Sequence, residues 1–87
     1  MLGLEAAGTI VEANNTDLIG KEVCTLVPGG AYAEFCEAKW GTCLPIPFQG
    51  EDRFIRASGL PENVFTVWKN VFRNMDTKPR KTMLFHG

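Results

Sequence analysis

Three cysteines and one histidine are the side chains of this 87-residue chain best suited by type to metal or thiol chemistry. Cys24, Cys36 and Cys43 are odd in number and form no C-x-x-C pair, which argues against a disulfide framework and against a zinc ribbon. Cys36 and Cys43 have the spacing to meet across a hairpin, but zinc needs three or four converging ligands. We therefore interpret the cysteines as buried, reduced thiols. His86 is an acid–base group by type, but its place next to the last residue predicts an exposed, idle side chain. No catalytic residue and no metal site is predicted.

A PGG stretch at 28–30 is the nearest approach to a phosphate-binding loop. It lacks the G-x-G-x-x-G spacing and a following helix, which such a loop needs. We interpret it as a turn whose glycines take positive φ. Tyr32 follows this turn, and both a place in a substrate cleft and a place in the core fit its position.

Composition and charge set the class of protein. Hydrophobic residues make up 45% of the chain and charged residues 22%, as in a folded domain, and the length predicts one small domain over 1–87. A net charge of −1 gives no basic field for nucleic acid. Since no apolar stretch approaches the ~20 residues of a membrane span and no signal peptide is visible, we predict a cytoplasmic protein with no nucleic-acid or membrane partner.

The first 50 residues carry the signals of β structure. Turn residues at 14–17 and the glycines at 28–30 separate the candidate strands. Pro45 and Pro47 donate no backbone hydrogen bond, so the segment around them is predicted to be an edge strand or extended. The candidate extended segments are 7–13, 21–27, 31–38 and 44–48.

The second half changes to a helical period. A short helix over 51–58 is predicted with acidic residues in its first turn, ending at Gly59, and Pro61 suits the first turn of a second helix. The apolar residues that predict one buried face of this second helix, at 62–73, are Val64, Phe65, Val67, Trp68, Val71 and Phe72. A strand over 81–86 completes an α+β fold, with a β-rich part at 1–50 and a part at 51–87 that has two helices and a final strand.

Five segments, in order, resemble the zinc-independent quinone oxidoreductase branch of the medium-chain dehydrogenase/reductase superfamily. LGLEAAGTIVE resembles the family's Gly-x-Glu-x-x-Gly strand, and IGKEVCTLVPGGAYAEF resembles its v-G-D-x-V segment, glycine turn and Y-A-E-Y. LPIP and LPENVFTVWKNVF resemble the segment and the helix that come next. KPRKTMLFHG resembles the K-P-G-(D/E)-x-V-L-I-H-G segment that leads into the nucleotide-binding domain.

The resemblance implies which part of such an enzyme this chain corresponds to. It implies the later part of a GroES-like β-barrel or sheet, then two helices, then the first strand of the Rossmann domain at 81–86. In the family a glycine-rich loop follows that strand and holds the cofactor pyrophosphate, and no such loop occurs in this sequence. We therefore expect a truncated homologue of an NADPH-dependent enzyme, inactive alone and binding no cofactor alone.

The resemblance also implies roles for particular residues. Leu4 stands where zinc-dependent relatives have a histidine ligand, so no zinc is expected. Glu5 matches a glutamate near the active-site cleft, but we favour a structural carboxylate paired with a backbone amide or a basic residue. Thr66 matches a threonine that faces the nicotinamide, and Asn63 lies one turn earlier. Thr66 and Asn63 are therefore candidate cofactor residues, although an ordinary surface position fits both equally well.

Three positions depart from the family pattern. Arg80 replaces the turn glycine after Lys-Pro, Lys21 replaces the aspartate of the Gly-Asp pair, and Arg56 stands where the family helix has a small apolar residue. These changes are expected in a chain released from docking against the rest of the enzyme.

Two other kinds of function stay open. The second hypothesis is a small assembly module whose unpaired strand edges pair between copies, which predicts a homodimer or larger homo-oligomer. The third hypothesis is activity in trans, with separately made partner halves.

Overall fold

The computed structural model describes residues 2–75 and 78–86. These residues form a three-stranded antiparallel sheet, in the order β1-β2-β3, followed by two helices. The α+β class predicted from the sequence is confirmed at this level.

Strands β1 (Glu5–Thr9) and β2 (Glu22–Leu26) form a hairpin, and β2 is the central strand of the sheet. Its ladder continues past the strand ends, where the Ile10 amide donates to the Lys21 carbonyl at 2.9 Å. The connection contains the predicted turn, because the Asn15 side chain accepts a hydrogen bond from the Asp17 amide at 3.0 Å.

Strand β3 (Cys43–Pro45) pairs with β2 and lies at the edge of the sheet. The prediction of an edge segment around Pro45 and Pro47 is therefore confirmed. A short 3₁₀ turn at Trp40–Thr42 leads into this strand. Neither proline has an N–H, so this edge offers a poor template for a further strand.

The core is small and centres on β2. Its buried residues are Val23, Cys24, Thr25, Val27, Ala57 and Pro61. The one polar member, Thr25, is satisfied, because its hydroxyl lies 3.0 Å from the Thr42 hydroxyl and 3.1 Å from the Leu26 carbonyl. A buried hydroxyl without such partners would be costly.

Helix α1 (Arg53–Ser58) packs on β1 and β2 and ends at Gly59, as predicted. The acidic residues come just before the helix rather than in its first turn, with Asp52 at the N-cap position. A two-bond contact ties the helix to the sheet: the Arg53 guanidinium donates to the Glu22 carboxylate at 2.6 and 2.8 Å. Arg56, a departure from the family pattern, lies 4.1 Å over the ring of Phe48.

Helix α2 (Pro61–Val67) begins at the predicted proline and continues as a π-helix over Trp68–Asn74. The predicted buried face of this helix is wrong. Five of its six apolar residues are 45% to 58% exposed, and the sixth, Val71, is half-buried. The physical reason is that α1 and the start of α2 already cover the sheet, so the rest of the helix extends beyond it.

Two predicted extended segments form no strand. Residues 31–38 have no regular secondary structure. The predicted final strand is also wrong for residues 81–86: they pair with none of the three strands of the described sheet, and Leu84 is 91% exposed. The sequence MDTKPRK at 75–81 is expected to turn the chain into this segment, and its residues 76 and 77 lie outside the described residues.

Among the described residues, no helix is long and apolar enough to cross a membrane. The chain is elongated, with a Cα radius of gyration of 15.6 Å, whereas a compact chain of this length would have about 12 Å. This extension agrees with the exposure of the second helix.

Candidate functional site

The segment Gly3–Glu5 is the meeting point of three parts of the chain. At Gly3, the carbonyl accepts a hydrogen bond from the Ala31 amide at 3.3 Å. A Cβ on Gly3 would lie 2.8 Å from the Tyr32 nitrogen, and its φ is +84°. Both facts require glycine here. The backbone of Tyr32 is thereby held against the start of the sheet.

Glu5, at the other end of this segment, reaches the second helix. Its carboxylate accepts a hydrogen bond from the Glu62 amide at 2.9 Å, across 57 positions of sequence. Of the two partners expected for a structural Glu5 carboxylate, a backbone amide or a basic residue, the structure shows the backbone amide. The contact also places a negative charge at the positive end of the helix, where the helix dipole favours it.

An open apolar groove of about 240 Å³ runs along the second helix. The rings of Trp68 and Phe72 form its floor, with their centroids 4.9 Å apart. The Asn63 side-chain amide is the polar group at its rim, and it donates to the Gly59 carbonyl at 2.9 Å. The residues that line the groove are Asn63, Val64, Val67, Trp68 and Phe72.

The candidate cofactor residues lie apart in this geometry. Asn63 is in the groove, with one amide hydrogen already used for Gly59. Thr66 is exposed and does not line the groove. Tyr32 is 82% exposed, so the alternative of a core position is wrong for it. A role in a substrate cleft stays a prediction for Tyr32, as does a cofactor role for Thr66 and Asn63.

The thiols occupy three different environments. Cys24 is 2% exposed, and burial raises the pKa of its thiol, which keeps it protonated and unreactive near neutral pH. Cys43 is half-buried, and its thiol donates to the Lys39 carbonyl at 3.5 Å. Cys36 is exposed, so its interpretation as a buried thiol is wrong. Within residues 2–75 and 78–86, no group of three or more His, Cys, Asp or Glu side chains converges on one point.

The first turn of α2 is already occupied by a side-chain anion. Backbone amides at a helix N-terminus can hold an anion, and in α2 that anion is the Glu5 carboxylate. A second anion there would meet repulsion. The groove itself is apolar apart from Asn63. The lining of the groove therefore suits an apolar partner.

Comparisons with known proteins add no neighbour. No family model, no curated protein and no solved structure matches the chain. The family resemblance accordingly rests on the sequence motifs alone.

Sequence reasoning missed the two surfaces that stand out in the structure. It took the apolar face of the second helix for core, and it took residues 31–38 for a strand. The signal that could have found the loop is present in AYAEFCEA, because two glutamates beside two aromatic residues suit solvent better than a central strand. Nothing in the helical period tells an unpartnered apolar face from a buried one.

Proposed function

We propose that this chain is the substrate-side part of a zinc-independent, NADPH-dependent quinone oxidoreductase, and that its 87 residues alone bind no nucleotide and transfer no hydride. In this proposal residues 1–50 belong to a GroES-like catalytic domain. The second helix, with Thr66 and Asn63, faces the place where a nucleotide-binding domain would dock.

The observation that carries the proposal is the convergence of three motifs on Gly3–Glu5. The Gly-x-Glu motif contacts the Tyr32 turn through Gly3 and the start of the Leu-Pro helix through Glu5. These motifs were identified independently along the sequence. In an enzyme of this family they would surround one cleft, and their contacts here fit that arrangement.

Arg80 gives separate support. It has φ of 71°, the left-handed conformation that glycine favours, and no other non-glycine residue of the described chain has positive φ. The family has glycine at this position. The backbone turn expected of the family is therefore present, although its glycine is replaced.

The first test is nucleotide binding by the 87-residue chain. Trp68 lies on the floor of the groove, next to Asn63, so nucleotide bound there would quench its fluorescence. We expect no saturable quenching up to millimolar NADPH and no reduction of quinones. Saturable binding in the micromolar range would contradict the inactivity of the isolated chain.

A chimera tests the family assignment itself. Residues 1–87 would replace the matching segment of an active zinc-independent quinone oxidoreductase. We expect a folded chimera to reduce quinones with NADPH, and Thr66→Val to lower its kcat by roughly tenfold or more if the hydroxyl orients the nicotinamide. Thr16→Val, which alters another exposed threonine, is the matched control. A folded chimera with no activity would overturn the proposal.

A second candidate function is self-association of the chain as an assembly module. The exposure of the second helix's apolar face favours it, since soluble monomers rarely expose a large contiguous apolar patch. Pairing through strand edges remains one route, although the prolines at β3 disfavour that edge. Activity in trans is the remaining alternative, and mixing the chain with separately made halves of a relative would reveal it.

A further inference from the structure

Residues 31–38 form an exposed loop that is both aromatic and acidic; we call it the acidic loop. Tyr32 is 82% exposed and Phe35 is 74% exposed. Glu34 and Glu37 stand beside them and are exposed as well. Neither glutamate makes a salt bridge within the described part of the chain. The loop therefore presents two rings and two negative charges to solvent.

The second helix presents the opposite combination. Trp68 and Phe72 are more than half exposed, and each is followed directly by a cation, Lys69 and Arg73. Both cations are exposed and lack a salt bridge to any described residue. We call the segment Pro61–Asn74 the basic helix. The helix thus carries two exposed cations in addition to its apolar groove, and neither cation lines the groove.

Charge separates the two halves of the whole chain. Residues 1–52 hold eight acidic and two basic side chains, a net charge of −6, whereas residues 53–87 hold two acidic and seven basic ones, a net charge of +5. The net charge of −1 conceals this difference. Opposite potentials of this kind attract and orient two surfaces that approach each other.

We propose that the basic helix binds the acidic loop of a second copy of this chain, in a reciprocal homodimer. Tyr32 and Phe35 of one copy occupy the apolar groove of the other, and Glu34 and Glu37 face Lys69 and Arg73. A two-fold arrangement makes this contact twice.

Sedimentation equilibrium over a range of protein concentrations measures this association. Two charge-reversed variants test its pairing: Lys69→Glu with Arg73→Glu on the helix, and Glu34→Lys with Glu37→Lys on the loop. Each variant alone should raise the dimer dissociation constant by about tenfold or more, because like charges would then face each other. An equimolar mixture of the two should restore the affinity, since opposite charges meet again at both contacts.

A matched charge control separates this pairing from a general charge effect. Lys78→Glu with Lys81→Glu makes the same change of charge outside the helix, and it should leave the dimer dissociation constant within about twofold of the unaltered chain, because exposed charges away from the contact are screened by salt. Failure of the mixture to recover affinity, or an equal loss in the control variant, would overturn the proposal. So would an unaltered chain that stays monomeric at every concentration.

A pair of phenylalanines tests the apolar part of the contact. Phe72→Ala removes a ring from the groove, and its loss should raise the dissociation constant roughly 30-fold or more, as for a buried aromatic anchor. Phe85→Ala removes an exposed ring from the segment 81–86 and should have little effect. The reverse result would mean that copies pair through the C-terminal segment, and would exclude the basic helix as the contact. These measurements need neither nucleotide nor quinone, so their outcome is independent of the enzymatic proposal.

Discussion

The hairpin with α1 and the basic helix use apolar residues in opposite ways. In the first region, β2 is covered by α1 and by the start of α2, and its buried threonine is satisfied by neighbouring groups. In the second region, a longer run of apolar residues lies about half exposed along a helix that extends beyond the sheet. The smaller set of apolar side chains therefore makes the core.

The difference shows that apolar content does not locate the core of this chain. Val, Phe and Trp side chains are concentrated in the second helix, but the burial is at the hairpin. Folding stability should thus depend on small residues of the first region. Association should depend on large residues of the second. The first two of the following predictions compare the two regions, and the later ones test contacts that join elements of the fold.

A pair of valines should give the largest contrast. Val27 is 5% exposed in the first region, whereas Val67 is 51% exposed in the second. Val27→Ala should lower the free energy of unfolding by about 2 kcal/mol, through lost burial and a residual cavity. Val67→Ala should change it by less than about 0.5 kcal/mol in the monomer. Urea unfolding at a concentration below dimer formation measures both, and equal losses would contradict the assignment of the core.

A pair of threonines gives the next contrast. Thr25→Val removes a buried hydroxyl that contacts the Thr42 hydroxyl and the Leu26 carbonyl, and it should lower the free energy of unfolding by about 1 to 2 kcal/mol. Thr66→Val changes an exposed helical position, and since Thr and Val have similar helix propensity it should change stability by less than about 0.5 kcal/mol. Thermal unfolding followed by circular dichroism measures both. If Thr25→Val left the free energy of unfolding unchanged, the hydroxyl contact would not stabilise the core.

The parts of the fold that depend on residues close together in sequence could be predicted. Turn chemistry located the hairpin connection, the proline rule located the edge strand, and Gly59 and Pro61 marked the helix boundaries. These features depend on residues close together in sequence. The burial of the second helix depends on whether another surface covers it, and a helical period cannot tell. The strand at 81–86 failed for a related reason, because a strand needs a neighbouring edge and the pattern does not supply one.

The features of the candidate site could likewise be predicted only where local sequence determines them. Glu5 was interpreted as a carboxylate paired with either a backbone amide or a basic residue, and the structure shows the backbone amide. Its partner, Glu62, could not be named, because a contact across 57 positions follows from the packing of the whole chain. The outward position of Tyr32 was also out of reach, since a tyrosine after a turn fits the surface and the core alike.

Glu5 connects the two regions, and its charge should contribute a smaller amount of stability. Glu5→Gln keeps an acceptor for the Glu62 amide but removes the negative charge at the start of α2. We expect a loss of about 0.5 to 1 kcal/mol in the free energy of unfolding and a shorter helix by circular dichroism. Glu12→Gln, at an exposed position after β1, is the matched control. A loss of the same size in the control would assign the effect to net charge.

The contact of Glu22 with Arg53 should give the smallest effect, seen as a dependence on pH. The hydrogen bonds from Arg53, followed by its positive charge, hold the pKa of the Glu22 carboxyl below its ordinary value of 4.5. Because the folded chain binds this proton less readily than the unfolded chain, the contact stabilises the fold fully above about pH 4.5. That contribution is lost as the pH falls through the lowered pKa.

Glu22→Gln and Arg53→Gln should each remove this part of the acid dependence, because either change eliminates the ion pair. Both variants should be less stable than the unaltered chain at pH 7, and the difference should shrink as the pH is lowered from about 4.5 towards 3. Thermal unfolding at a series of pH values measures it, with Glu12→Gln as the control that keeps the pair. If the difference stayed constant with pH, the contact would act through packing of the Arg53 side chain between sheet and helix, and the link from β2 to α1 would not be electrostatic.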